Sequence, residues 1–146
     1  MAIKCVIAKL RFRFDTPMPT THVVFFQEAD GKSPVVEWLN ELGTTDEKTF
    51  DKCRSALTRL ALLGHELRRP EADLLRDGIY ELRFRRASVN YRLLYFFYGR
   101  TVSVVAHGLT KEATVPIADI NRAIARKEAF ISNPSLHTFK GELYDA

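Results

Sequence analysis

Apolar residues recur along this chain at two periods, and each period predicts an element. Between residues 3 and 14, Ala8, Leu10, Phe12 and Phe14 alternate with Lys9, Arg11 and Arg13, the two-residue period of a half-buried strand. Residues 15–21, with Pro17 and Pro19, break that run, and an apolar stretch from Val23 resumes it. The chain therefore either opens with two strands or carries an N-terminal extension before a domain beginning near His22, and translation starts at Met1 or at Met18. Asp30-Gly31 marks a turn. Ser33 then suits a helix cap and Pro34 the first helical position, leading through Val35, Val36, Trp38, Leu39 and Leu42 to Gly43. Thr44 and Glu47 have capping-box spacing, and Phe50, Cys53, Leu57, Leu60 and Ala61 share one face of a second helix up to Gly64.

A polar connection over residues 65–73 separates these helices from three predicted strands, at 79–84, 91–98 and 101–107, with turns at Ala87-Ser88 and Gly99-Arg100. A last helix opens at Pro116, with Ile117, Ile120, Ile124 and Ile131 as its apolar stripe and Arg122, Arg126 and Lys127 away from it. Beyond Asn133-Pro134 the chain reads as a loosely ordered tail. The order strand, helix, helix, three strands, helix predicts an α+β fold. Its antiparallel sheet is expected to carry two N-terminal helices and one C-terminal helix on one face, leaving the other free for function.

Length changes this picture little: 146 residues make one domain with a proper core. That domain spans 1–146, with 1–21 as an extension or extra strand, 22–132 as the core and 133–146 as the tail. Twenty-two Lys and Arg against eighteen Asp and Glu give a mild positive excess, so its distribution matters more than its size. Cys5 and Cys53 match no metal or redox spacing and read as reduced core thiols, and His22 and His65 have no ligand-spaced neighbours, so neither metal nor cofactor is expected. No apolar run is long enough to span a bilayer, which makes a cytoplasmic protein the expectation. Glycine-rich phosphate loops, nucleophile elbows and dinucleotide fingerprints do not occur.

Charge concentrates between Arg76 and Arg92, where five arginines face only Asp77 and Glu81. Strand alternation puts Glu81, Arg83 and Arg85 opposite Tyr80, Leu82 and Phe84, and a hairpin brings Arg92 to the same polar surface, with Arg86 beside it. Guanidiniums gathered in this way repel unless an anion lies between them, and their forks fit phosphate oxygens. A solvated strand face with Arg83 paired to Glu81 explains the same pattern. His107 ends the last predicted strand and is either a proton-transfer group or a structural histidine, while Lys111 follows in a loop. The aromatic run Tyr91, Tyr95, Phe96, Phe97 and Tyr98 suits core packing more simply than base stacking.

The wording of these motifs resembles the RelE toxin superfamily, specifically its phage-encoded, HigB-like branch. Asp77-Gly-Ile-Tyr-Glu-Leu-Arg83, Tyr91-Arg92-Leu-Leu-Tyr95 and Val105-Ala-His-Gly-Leu-Thr-Lys111 precede the helix at Pro116 in that order, with Asp30-Gly31-Lys32-Ser33-Pro34 ahead of the first helix. The resemblance implies the toxin of a type II toxin–antitoxin system. Such a toxin is a metal-independent endoribonuclease, an mRNA interferase that inhibits translation by cutting mRNA on the ribosome through 2′-hydroxyl attack. A cognate antitoxin, of helix-turn-helix type, restrains it. Arg83, Arg92, Lys111, Glu81 and His107 then become the catalytic candidates, with Arg76, Arg85 and Arg86 holding phosphate. The sequence departs from the pattern at Asp73, an acid where relatives carry a basic residue or histidine, and in lacking a tyrosine one turn into the last helix. A non-catalytic module that binds nucleic acid or a partner with the same fold remains the alternative.

Overall fold

The computed structural model describes residues 20–110 and 114–140. Cys5, the strand expected at 3–14, Met18 and Lys111 lie outside the described residues. The elements run β1 (His22–Phe25), α1 (Pro34–Thr45), α2 (Glu47–Leu63), a short 3-10 turn (Gly64–Glu66), β2 (Ala72–Arg76), β3 (Ile79–Arg86), β4 (Val89–Tyr98), β5 (Val102–Thr110), α3 (Ile117–Ser132) and α4 (Pro134–His137). The α+β class holds, and the five strands form one sheet in the order β1-β5-β4-β3-β2. The sheet is mixed rather than antiparallel, because β1 runs parallel to β5 at its edge.

Local chemistry explains most boundaries. The Ser33 hydroxyl accepts from Val36 N at 3.3 Å and donates to Phe26 O, so it caps α1 and ties it to the end of β1. Gly43 stays helical and α1 continues to Thr45, past the predicted stop. The cap of α2 is Asp46 rather than Thr44, since its carboxylate accepts from Lys48 N and Thr49 N and from the Thr49 hydroxyl, more than a threonine can offer. The predicted face of α2 is confirmed: Phe50, Cys53, Leu57, Leu60 and Ala61 are all buried, each large one contributing roughly 1.5–3 kcal/mol. Burial pushes the Cys53 thiol well up, as suits an inert core residue.

Three expectations are corrected. The polar connection contains a strand, β2, which pairs antiparallel with β3 through a two-residue Asp77-Gly78 turn, both residues having positive φ. His107 does not end its strand, because β5 continues to Thr110 past a bulge opposite Leu94/Tyr95. Gly108 keeps that extension flat against α1: a Cβ there would come within 2.6 Å of the Trp38 indole. The third correction is the largest. Helices cover both faces of the sheet. α1 and α2 pack on one side over Leu82, Leu93, Tyr95 and Val105, and α3 packs on the other over Ile79, Leu94, Phe96 and Val104. Leu93 through Phe96 are buried without a polar break, a pattern that a half-open sheet does not support.

The predicted α3 stripe holds at Ile120 and Ile124, which pack against the core, and fails at its two ends. Ala123 and Phe130 are its buried residues, Ile117 and Ile131 face outward, and Arg126 and Lys127 turn inward, Lys127 Nζ donating to Asp77 O at 2.8 Å. Residues 133–140 of the predicted tail are ordered. His137 stacks on Phe26 and Phe139 N donates to Phe25 O at 2.7 Å, so this segment closes over the end of β1.

Candidate functional site

On β3, Ile79, Glu81, Arg83 and Arg85 project toward the α3 side, and the register sets Arg83 directly across from Arg92 and Arg85 across from Asn90. α3 covers the Ile79 end of this face. Among the described residues no helix covers the hairpin end, and a cleft of about 380 Å³ lies there, lined by Pro70, Glu71, Arg83, Arg85, Asn90 and Arg92, with Phe84 and Tyr91 between them. β2 stops short of this region: Arg83 N donates to Glu71 O at 2.8 Å, and among the described residues no strand extends further along that edge.

The anion expected between the arginines is Glu81. Its side chain is 5% exposed, takes a 2.6 Å hydrogen bond from Arg83 Nη2 and has Arg92 Nε 3.0 Å from Oε1. The Arg92 contact is an ion pair whose alignment falls short of a hydrogen bond. A second acid, Asp73, lies 2.8 Å from Arg69 and 3.5 Å from Arg83. The Arg69 hydrogen bond is the main cause that holds the Asp73 carboxyl below its usual range, so the departure noted in the sequence is neutralised in place. Arg69, Arg83 and Arg92 thus pair with Glu81 and Asp73, Glu71 at the cleft wall pairs with Arg59, and Arg85 adds an exposed charge, which leaves the cleft cationic. Arg83 Nε is buried and has no hydrogen-bond acceptor, a donor still available to an oxyanion.

The structure separates the remaining candidates. Arg85 is exposed at the mouth of the cleft, its Nε donating to Ala87 O at 3.1 Å. Arg76 is the last residue of β2 rather than a loop residue. It bonds Asn121 of α3 beside the Asp77-Gly78 turn, four positions along β3 from Arg83 through its pairing with Ile79. Arg86 points to the opposite face, toward Lys48 and Lys52 of α2. Neither joins the cleft.

His107 lies on the α3 face, opposite Leu94 and therefore diagonal to Arg92, whose partner is Leu109. Both ring nitrogens are engaged by protein. Nε2 is 2.7 Å from Asp119 Oδ1, and Nδ1 is 3.3 Å from Arg126 Nη1, which also donates to Ala106 O at 2.6 Å. Arg126 is a donor only, so Nδ1 is the acceptor and the proton resides on Nε2. Burial lowers the His107 pKa below its ordinary value; the Asp119 hydrogen bond opposes this and Arg126 adds to it. The sequence reading missed Asp119 and Arg126, and also Asp73 as an ion-pair partner. Among the described residues, no three His, Cys, Asp or Glu side chains stand together as a metal ion would require, and no helix is long and apolar enough to cross a membrane.

A model of the family described as "Phage derived protein Gp49-like (DUF891)" matches residues 37–128. The chain belongs to this family. The matched stretch runs from α1 to the last third of α3 and contains both the arginine cleft and the His107 cluster. No curated protein matches the chain.

Proposed function

We propose that this member of the Gp49-like family is the toxin of a type II toxin–antitoxin pair. It acts in the cytoplasm as a ribosome-dependent endoribonuclease of the RelE/HigB kind, restrained by a helix-turn-helix antitoxin. The observation that carries the reading is the pairing of Arg83 with Arg92 across the β3–β4 hairpin, with an unused donor on Arg83, at the mouth of an open cationic cleft. Membership in a phage-derived family supports the setting.

Attack of a ribose 2′-hydroxyl on the neighbouring phosphate forms a cyclic phosphate as the P–O5′ bond breaks and the 5′-oxygen leaves with a proton as a hydroxyl; negative charge builds on the phosphate oxygens, and two fixed guanidiniums meet it without needing a metal. Glu81 holds both forks in place before substrate arrives. As a phosphate enters, it takes over part of that role, and the carboxylate so released becomes a base for the reacting hydroxyl. Lys111 belongs to the proposal on sequence resemblance alone. Incubation with programmed ribosomes and mapping of mRNA ends tests the reading: codon-spaced cuts that vanish without ribosomes are expected, and intact mRNA at stoichiometric protein overturns it.

One observation favours a second reading. His107 has both nitrogens occupied and Glu81 is bound by two guanidiniums, so neither of these two proton-transfer candidates is free in this state. A module that binds nucleic acid without cutting it accounts for that arrangement. It predicts salt-sensitive RNA binding with the strand left whole.

A further inference from the structure

We propose that Lys48, Lys52 and Arg86 form a second phosphate-binding surface, holding the RNA backbone on the opposite side of the β3–β4 hairpin from the Arg83 cleft. Lys48, Asp51, Lys52 and Ser55 follow each other at helical spacing and share one exposed face of α2. Arg86 closes this face from the sheet, because the alternation that puts Tyr80, Leu82 and Phe84 on the α2 side puts Arg86 there too. Together they line a concavity of about 520 Å³.

The charges are arranged at a cost. Lys48 and Lys52 are like charges one helical turn apart, and Lys48 stands in the first turn of α2, where the helix dipole disfavours a cation. The nearby acids are engaged elsewhere. Asp51 pairs with Arg54 at 3.3 Å, and Asp46 spends its carboxylate on the α2 cap. Among the described residues neither lysine has an ion-pair partner, and Arg86 meets only the field of Asp46, whose carboxylate is already bonded in the cap. A cluster kept together against repulsion, in a hollow, suits an external anion.

Continuity along the hairpin identifies that anion as a polymer. Arg85 and Arg86 are successive strand residues, so their side chains leave on opposite faces, one at each hollow. A chain with a charge on every unit that passes round the Ala87-Ser88 turn meets Arg92, Arg83 and Arg85 first and then Arg86, Lys52 and Lys48. The choice of RNA over other phosphodiesters rests on the function proposed above; the surface itself does not.

The test uses the full chain and a labelled single-stranded RNA with 2′-O-methyl riboses, which has no 2′-hydroxyl to attack. Its affinity is measured by fluorescence anisotropy across a salt series. Removing three phosphate contacts in Lys48→Gln/Lys52→Gln/Arg86→Gln is expected to flatten the plot of log affinity against log salt by about two units and to weaken binding at least about tenfold at moderate salt. Should the triple variant melt early, Lys48→Gln/Lys52→Gln, with both changes on an exposed helix face, is expected to flatten it by about 1.4 units. An unchanged slope in the folded variant overturns the surface even if the native protein cuts mRNA on ribosomes. A flattened slope in a protein that cuts nothing supports the surface and sinks only the nuclease.

Discussion

The Arg83–Glu81–Arg92 group and the His107–Asp119–Arg126 group lie on the same face of the sheet and use similar residue types, yet they differ in what is left over. In the first, Arg83 retains an unused donor, Arg85 stands exposed nearby and a cleft opens above them. In the second, the imidazole is satisfied on both sides, and the Arg126 guanidinium spans Ala106 O, His107 and, at 3.5 Å, Glu28 of the β1–α1 connection. One cluster has capacity to bind something. The other is closed and fastens α3 to the sheet. Proximity of charged residues therefore does not distinguish a binding site from a structural joint; unfilled hydrogen-bonding capacity beside open space does.

Replacement of Arg92 is the most severe way to break this contrast. Its side chain is 13% exposed against a Glu81 side chain that is 5% exposed, so Arg92→Ala leaves a buried carboxylate with Arg83 as its remaining guanidinium partner and is expected to cost about 2 kcal/mol in urea unfolding. A second change, Glu81→Gln, should recover part of that loss. If Arg92→Ala unfolds at the native urea midpoint, the pair is not a buried one and the contrast fails. Loss of function in that variant is consequently a weaker argument for a role in the site than the same loss in Arg83→Ala, whose side chain is about one-third exposed.

Asp119→Ala comes next, with an expected loss of about 1–2 kcal/mol from the His107 bond and no loss of RNA affinity while the protein stays folded. Reduced RNA affinity in folded Asp119→Ala would join the two clusters into one site. The pH dependence is a smaller effect. Because the folded state depresses the His107 pKa, the unfolded chain binds the proton first as pH falls below about 6.5, and stability declines from there until pH passes the depressed folded value. His107→Asn should flatten the stability curve in that window, measured against the native protein by denaturant titration at stepped pH; an identical curve would count against the joint. Arg85→Ala should move stability least, within about 0.5 kcal/mol, while reducing the salt slope of RNA binding by about 0.7. No change in that slope would remove Arg85 from the cleft's binding surface.

Much of this was legible in the chain because it is local. Ser33-Pro34 and the α2 stripe fixed two helices, and alternation on β3 correctly grouped Glu81, Arg83 and Arg85. Asp77-Gly78 is a strong hairpin signal, and taking it at face value would have revealed β2, whose pattern Ala72-Asp73-Leu74-Leu75-Arg76 is too short and irregular to declare itself. The unbroken burial of Leu93–Phe96 was likewise readable as a demand for cover on both faces. What could not be read was pairing across the fold. Asp119 reaches His107 from a different element, and Arg126 turns inward through the way α3 packs on the cluster of Phe26, Phe96 and Val104. The buried state of Glu81 is of the same kind: it depends on which face α3 covers.

The closure of residues 137–139 over β1 has a consequence for manufacture of the chain. β1 is translated early, but its parallel partner β5 follows some 80 residues later and the bridge from Phe26 to Thr138 comes later still. Pairing at such sequence separation is slow, so the first described strand is the last to be completed. Until then it presents an open edge, the feature through which nascent chains stick to one another. A product that stops after Ser132 would keep nearly the whole sheet and yet be prone to aggregate, its weakest point lying at the start of the domain rather than at the cut.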